Sequence, residues 1–280
     1  MPFLELFDET LDINSTENYD LSIQAGMDVL SYTVIDSVRS KYILFRSFTP
    51  ESYRNFTPEQ LDEIITRDDF LRRKYRKVHL VVPSAKSTLI PAPLYDPARK
   101  EDYFSFNHSG AENSVILTNR ITEPDSYLLF GISRPVSEIV SAHYPQILPL
   151  HHLKVLFEHI KYTGKAHGNL YIHAHIESDF FNLIIFSGSS LKFCNSFIYR
   201  NVSDILYHIL NVFKSMDIRQ EEAVTLSGNA ERYDDLFSSL SMYIRGVKFA
   251  EPAGSFSFSY VFNEMPLHRY LNLFTIAACE

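Results

Sequence analysis

The chain has 280 residues, 45% hydrophobic and 21% charged, which is enough apolar material for a sizeable core and excludes a disordered chain. Its formal charge of −8 excludes a general nucleic-acid binder, which needs a basic surface to displace counterions. The two cysteines, Cys194 and Cys279, lack metal-knuckle or CxxC spacing, Met1–Glu9 has no signal-peptide layout, and no apolar run is long enough for a bilayer, so the sequence predicts a cytoplasmic protein with no direct membrane insertion.

Residues 1–18 read as a loose acidic arm. Three strands follow over Leu21–Ala25, Val29–Asp36 and Lys41–Phe48, with Gly26-Met27-Asp28 as the first turn. A helix starts at Thr57, where Thr57 can cap, Pro58 takes the first helical position and Gln60 can return the capping bond. Leu61, Ile64, Ile65 and Leu71 give it an apolar face, and the basic run Arg72, Arg73, Lys74, Arg76 and Lys77 reads as its solvated end. Val78–Val82 is a short strand stopped by Pro83.

Residues 84–124, punctuated by Pro91, Pro93 and Pro97, read as a small inserted subdomain with a helix near Ala98–Phe106 and a strand at Val115–Thr118. The main pattern is expected to resume with a strand at Tyr127–Ile132 and helices over Val136–His143 and His151–Tyr162. From Gly168 the first pattern repeats: strands Leu170–Ile176, Asn182–Phe186 and Leu191–Tyr199, a helix from Val202 to Met216, and a strand Ala223–Leu226. A helix carrying Tyr233, Leu236, Phe237 and Leu240, a strand Val247–Ala250 and a terminal helix with Leu267, Tyr270, Leu271 and Phe274 complete the chain. Both halves thus run three meandering strands, a helix, a strand and a helix, which predicts mixed α/β sheets flanked by helices.

In this order of elements the chain resembles the actin-like ATPase superfamily, whose two lobes each descend from a ribonuclease-H-like unit. It is similar to an uncharacterised bacterial domain-of-unknown-function family with that fold and, more distantly, to pilus-assembly actin homologues and the cytoplasmic part of type II secretion platform proteins. The resemblance covers about residues 20–280. It implies a first lobe over 1–166 that includes the inserted subdomain at about 84–124, and a second lobe over 167–280 whose terminal helix, 265–280, packs back on the first.

Four segments carry the resemblance. Leu21–Asp28 sits where relatives have a first phosphate loop, Val78–Pro83 with Thr88–Pro91 resembles the lead into the inserted subdomain, His175–Asp179 sits at the second phosphate loop, and Leu226–Ala230 resembles the adenosine loop. The resemblance therefore makes Gln24, Gly26, Asp28, His175, Glu177, Asp179, Gly228 and Asn229 degenerate nucleotide-loop candidates. Gln24 and His175 stand where the family has magnesium-organising Asp residues, and a neutral amide cannot supply that charge. Glu177 stands where the family has Gly, so it is expected to block phosphate by size and by negative charge. Asn229 replaces the second Gly of the adenosine loop, a mild change because Asn tolerates the left-handed conformation.

Other constellations carry less. His173, His175 and Glu177 alternate along one strand, the makings of a partial metal site or of a polar sheet face. His151, His152 and His159 read as surface or half-buried residues. No Gly-x-Ser-x-Gly elbow, Walker loop or dinucleotide fingerprint is present.

The expected function is a non-catalytic, pseudo-ATPase interaction or scaffold module. It has no cofactor and an unidentified protein or peptide partner, or a second copy of itself as a homodimer. The alternatives are weak ATP or ADP binding with little hydrolysis, or an unrelated enzyme using Gln24, Asp28, His175, Glu177 and Asp179.

Overall fold

The structure of the protein, a computed structural model, describes residues 3–50, 55–164, 170–254 and 256–279. Strand β1 (Leu4–Phe7) precedes a meander of β2 (Tyr19–Ala25), β3 (Leu30–Asp36) and β4 (Lys41–Phe48), then α1 (Pro58–Arg67) and β5 (Lys77–Val82). Next come β6 (Ser87–Pro91), α2 (Lys100–Asn107), β7 (Ser114–Ile121), β8 (Ser126–Ser133), α3 (Arg134–His143), β9 (Leu150–His151) and α4 (His152–Gly164). A second meander of β10 (Leu170–Ile176), β11 (Phe180–Ser187) and β12 (Ser190–Ile198) leads to α5 (Val202–Ser215), β13 (Val224–Gly228), α6 (Asp235–Tyr243) and β14 (Val247–Phe249). β15 (Ser257–Phe258) and α7 (Leu271–Ile276) follow.

The first sheet has the order β1-β4-β3-β2-β5-β9 with β15 beside β4, and the second has β12-β11-β10-β13-β14. In each, the meander is antiparallel and the strand after the helix joins parallel to the meander's first strand, β5 on β2 and β13 on β10. Five layers result. α1 and α3 cover one face of the first sheet through Leu61, Ile65, Val136 and Val140. Its other face meets the C-terminal segment through Phe262, Met265, Leu273 and Phe274. Beyond lies α4, whose Leu153, Leu156, Phe157 and Ile160 pack on Ile184 and Phe186 of the second sheet. α5 and α6 cover that sheet's far face through Ile205, Ile209, Leu236 and Leu240. β2 and β3 are buried along their whole length, because helices lie on both sides. α7 touches α4, β2 and β5, so it is wedged between the two sheets.

The start of α1 follows the local signal: Thr57 Oγ1 accepts from the Gln60 amide at 3.3 Å, and Gln60 Oε1 accepts from the Thr57 amide at 2.9 Å. Its end does not. The helix stops at Arg67, before the basic run, because the Asp68 carboxylate accepts from the amides of Phe70 and Leu71 at 2.9 and 3.0 Å and so offers the backbone an alternative to helix. The basic run is then spent elsewhere: Arg72 pairs with Asp69, Arg73 reaches the Ile13 carbonyl and Arg76 pairs with Asp20.

Other expectations are corrected by the tertiary structure. The arm is not loose over its described part, since β1 pairs with β4 and Ile13–Asn18 forms a 3-10 turn. The strand expected at Tyr127–Ile132 is β8, which belongs to a separate three-stranded sheet, β6-β8-β7, so the inserted sheet extends past residue 124. β6 and β15 were not foreseen, being short and apolar only in part. The terminal helix is broken into a 3-10 turn, Leu267–Tyr270, and α7. The boundary expected between 166 and 167, and the repeat start at Gly168, lie outside the described residues.

Asp68 also predicts a stability effect. Its carboxylate accepts from Tyr32 Oη at 2.7 Å and from Arg46 Nη1 at 2.8 Å, and it is buried. Arg46 is stacked over the rings of Phe7 and Phe70, and it also pairs with Glu5 and donates to Tyr32 Oη at 3.3 Å. Asp68→Ala leaves a largely buried guanidinium undercompensated and two amides without their acceptor, and is expected to cost about 3–5 kcal/mol. Asp69→Ala, at an exposed pair, should stay within about 0.5 kcal/mol of wild type. Urea unfolding of the two variants checks the contrast.

Candidate functional site

The two meanders end their first strands in equivalent turns, and these turns face each other. After β2, the Gly26 amide donates to the Val29 carbonyl at 2.8 Å. After β10, the Glu177 amide donates to the Phe180 carbonyl at 2.9 Å. Ser178 Oγ donates to the Asp28 carboxylate and ties one turn to the other. A pocket of about 600 Å³ opens there, lined by both turns together with Pro83, Ser84, Gly131 and Ser133.

Gly26, Asp28 and Asp179 therefore come together on this pocket. Gln24 does not line it; it is buried near the end of β2, opposite Ser31 of β3 and Val81 of β5. His175 and Glu177 turn away from the pocket into the protein. His175 Nε2 lies 2.9 Å from Glu177 Oε1, and His175 Nδ1 lies 2.7 Å from Ser227 Oγ. Ser227 Oγ is also 2.7 Å from His173 Nε2, and the Asn272 amide nitrogen of α7 is 3.2 Å from His175 Nε2. All five side chains are buried.

This placement corrects the role expected of Glu177. Burial pushes its carboxyl up to about 8, with Asp28 and Asp179 adding to the rise against the opposing influence of His152. At neutral pH it holds a proton, so it is not a negative charge pointed at a ligand. Burial also lowers His175 to about 3, so the contact between them is a hydrogen bond of neutral groups and not an ion pair.

The expectation for the other histidines is corrected as well, since His151, His152 and His159 are all buried. The Ser84 amide donates to His152 Nδ1 at 3.4 Å, and His152 Nε2 lies 2.6 Å from Asn182 Oδ1. The Leu153 amide donates to His151 Nδ1 at 3.2 Å, leaving His151 Nε2 to donate to the Ser84 carbonyl at 3.0 Å. His173 and His175 do share a face, but their ring nitrogens meet Ser227 and Glu177. Among the described residues no group of three His, Cys, Asp or Glu side chains is placed to hold a metal ion.

The adenosine-loop candidates have a structural reason of their own. Gly228 has φ +77°, and a Cβ there would stand 2.1 Å from the Ile176 carbonyl oxygen of β10. The Asn229 amide donates to that same oxygen at 2.7 Å, and Asn229 itself is exposed. The left-handed residue of this turn is thus Gly228 and not Asn229.

Chemically, Ser227, His175 and Glu177 have the connectivity of a nucleophile, base and orienting acid. Ser227 is 0% exposed and shares its hydroxyl with His173, so the set lies buried behind the pocket and not on its wall. Ser178, Ser227, Asn182 and Asn272 were not singled out from the sequence, because each acquires its partner through tertiary contact. Among the described residues no helix is long and apolar enough to cross a membrane.

The sequence profile of the family described as Protein of unknown function (DUF3822) matches residues 8–247. No curated protein matches. A Bacteroides thetaiotaomicron protein with actin-like ATPase fold and unknown function has a TM-score of 0.76 to this chain at 21% identity, over 86% of this chain and 93% of its own. The PilM–PilN type IV pilus biogenesis complex gives a TM-score of 0.61 at 8% identity, over 93% of this chain and 98% of that one. The mixed α/β architecture is therefore the actin-like ATPase fold, as the order of elements led us to expect.

Proposed function

The chain belongs to the DUF3822 family and has the actin-like ATPase fold, and from that premise we propose that it is a cytoplasmic, non-catalytic member of the fold that serves as a protein-interaction module. One observation carries the reading. The pocket between the two turns presents Asp28 and Asp179, and among the described residues that line it there is no Lys, Arg or His. A polyphosphate would meet carboxylates there without a compensating side-chain cation. The hydroxyls of Ser84 and Ser178 and the apolar walls of Pro83, Ile132 and Val136 suit a polypeptide segment instead. The PilM–PilN structure, a complex of two proteins on a similar fold, supports a protein partner.

The test is a thermal melt with and without Mg-ATP, run beside a phosphate-release assay. We expect no hydrolysis above buffer and no rise in melting temperature, since a ligand selective for the folded state would raise it by mass action. Turnover that scales with protein concentration and vanishes in Gln24→Ala would overturn the proposal. Affinity capture by the wild type, with loss of the captured polypeptide in Asp179→Lys, would place the partner at this pocket.

A further inference from the structure

We propose that Glu177, His175, Ser227 and His173 form a two-state hydrogen-bond relay, in which loss of one proton inverts the tautomers of both histidines and turns the Asn272 amide on α7. The inference is independent of what occupies the pocket. It rests on a difference among the buried histidines. His151 accepts from a backbone amide, which can only donate, and so has one tautomer. His173 and His175 touch only a hydroxyl, a carboxyl and a side-chain amide, and each of these can present either a donor or an acceptor.

Two arrangements satisfy every contact in the chain. In the first, Glu177 is protonated and donates to His175 Nε2. His175 Nδ1–H donates to Ser227 Oγ, Ser227 O–H donates to His173 Nε2, and His173 carries its proton on Nδ1. The Asn272 N–H also donates to His175 Nε2. In the second, each group has passed its proton to the next, and the set as a whole has lost one proton to bulk solvent, released by transient opening of the packed layers because His173 is 0% exposed. The Glu177 carboxylate now accepts from His175 Nε2–H, Ser227 O–H donates to His175 Nδ1, and His173 Nε2–H donates to Ser227 Oγ. The balance is one proton, and no bond between heavy atoms changes.

The ends of the chain are free to follow. His173 Nδ1 and Asn272 Oδ1 are buried without a hydrogen-bond partner, so neither the inversion nor the turn of the amide breaks another contact. Asn272 stands on α7, which packs on β2, β5 and α4, so the proton state beside the pocket is read between the two sheets. The ionisable groups that face the relay are Asp28 and Asp179 from the two turns, His152 and His159 from α4, and Tyr171 from β10. Burial, with the two aspartates, favours the protonated form of Glu177, and His152 opposes it. The step is thereby brought into the range of ordinary buffers.

The experiment is 15N NMR of the histidine-labelled full chain from about pH 6 to about pH 10, where the Nδ1 and Nε2 shifts report the tautomer. We expect His173 and His175 to exchange tautomers together, with one shared midpoint. Glu177→Gln, which cannot lose the proton, should abolish the step in both rings. Ser227→Ala should leave the step in His175 and remove it from His173. Tautomers that stay fixed across the range, or a His173 step that survives Glu177→Gln, would overturn the relay. If Ser227→Ala does not fold, the Glu177→Gln spectrum still decides.

Discussion

Replacing Gly228 by alanine is expected to destabilise the protein by more than about 4 kcal/mol, an exceptional loss for one methyl group. Two terms add. The residue sits at φ +77°, where an L side chain is strained by about 1–2 kcal/mol. The added Cβ would also stand 2.1 Å from the Ile176 oxygen, 2.9 Å from its carbonyl carbon and 3.0 Å from its nitrogen. These are backbone atoms of the neighbouring strand, so relief requires β10 and β13 to part at the turn that positions Glu177 and Ser227. Gly188 isolates the first term: its φ is +58° and nothing lies within 4 Å of its Cβ position. Gly188→Ala should therefore cost only about 1 kcal/mol. Thermal melting of the pair checks this, with about 2–4 °C expected per kcal/mol in a chain of this size. Similar losses for both would mean that the strand contact is softer than its geometry.

Stability should peak at about pH 7, with a steep acid limb and a shallow alkaline one. Burial lowers His175 to about 3 and His152 and His159 to about 4, and it lowers His151 and His173 well below the ordinary 6.5. In the unfolded chain these rings bind protons that the folded chain refuses. Their contribution is whole above pH 6.5 and is lost as pH falls towards the folded values. Glu177 has the opposite sign. Its carboxyl is raised from 4.5 to about 8, so its contribution is whole below 4.5 and is lost as pH rises through 8. Between 4.5 and about 7 the several histidines outweigh the single carboxyl, because the unfolded rings are still half protonated at pH 6.5, and above about 7 the carboxyl outweighs them. Each proton changes the unfolding free energy by at most about 1.4 kcal/mol per pH unit. Urea unfolding at about pH 5, 7 and 9 measures both limbs. Glu177→Gln should remove the decline between about pH 7 and 9 and leave the acid limb in place. An alkaline decline that persists in this variant would show that the carboxyl is not buried as described.

The fold was legible because its signals are local. The Tyr, Ile, Leu and Phe run in Lys41–Phe48, the Thr57 and Gln60 capping pair and the apolar face of Val202–Ser215 each lie within one element, and each element formed where its pattern stood. Repetition of strand, strand, strand, helix, strand needed no contact information. Ends of elements were less legible. α1 stops at Asp68 because that carboxylate is called to Arg46 and Tyr32, which lie 22 and 36 residues away in sequence.

The sequence by itself determined the order of elements and the absence of carboxylates at Gln24 and His175, since these depend on residue type and near neighbours. Only the tertiary structure decided what the site residues do. Glu177 on a turn reads as an exposed anion until α4, α7 and β13 close over it and remove the water that would keep it charged. Its network joins His175 to Ser227 across 52 residues and to Asn272 across 97, and Ser178 meets Asp28 across 150. No pattern within a window spans such separations, and the desolvation that sets the charge of these groups exists only once the layers are packed.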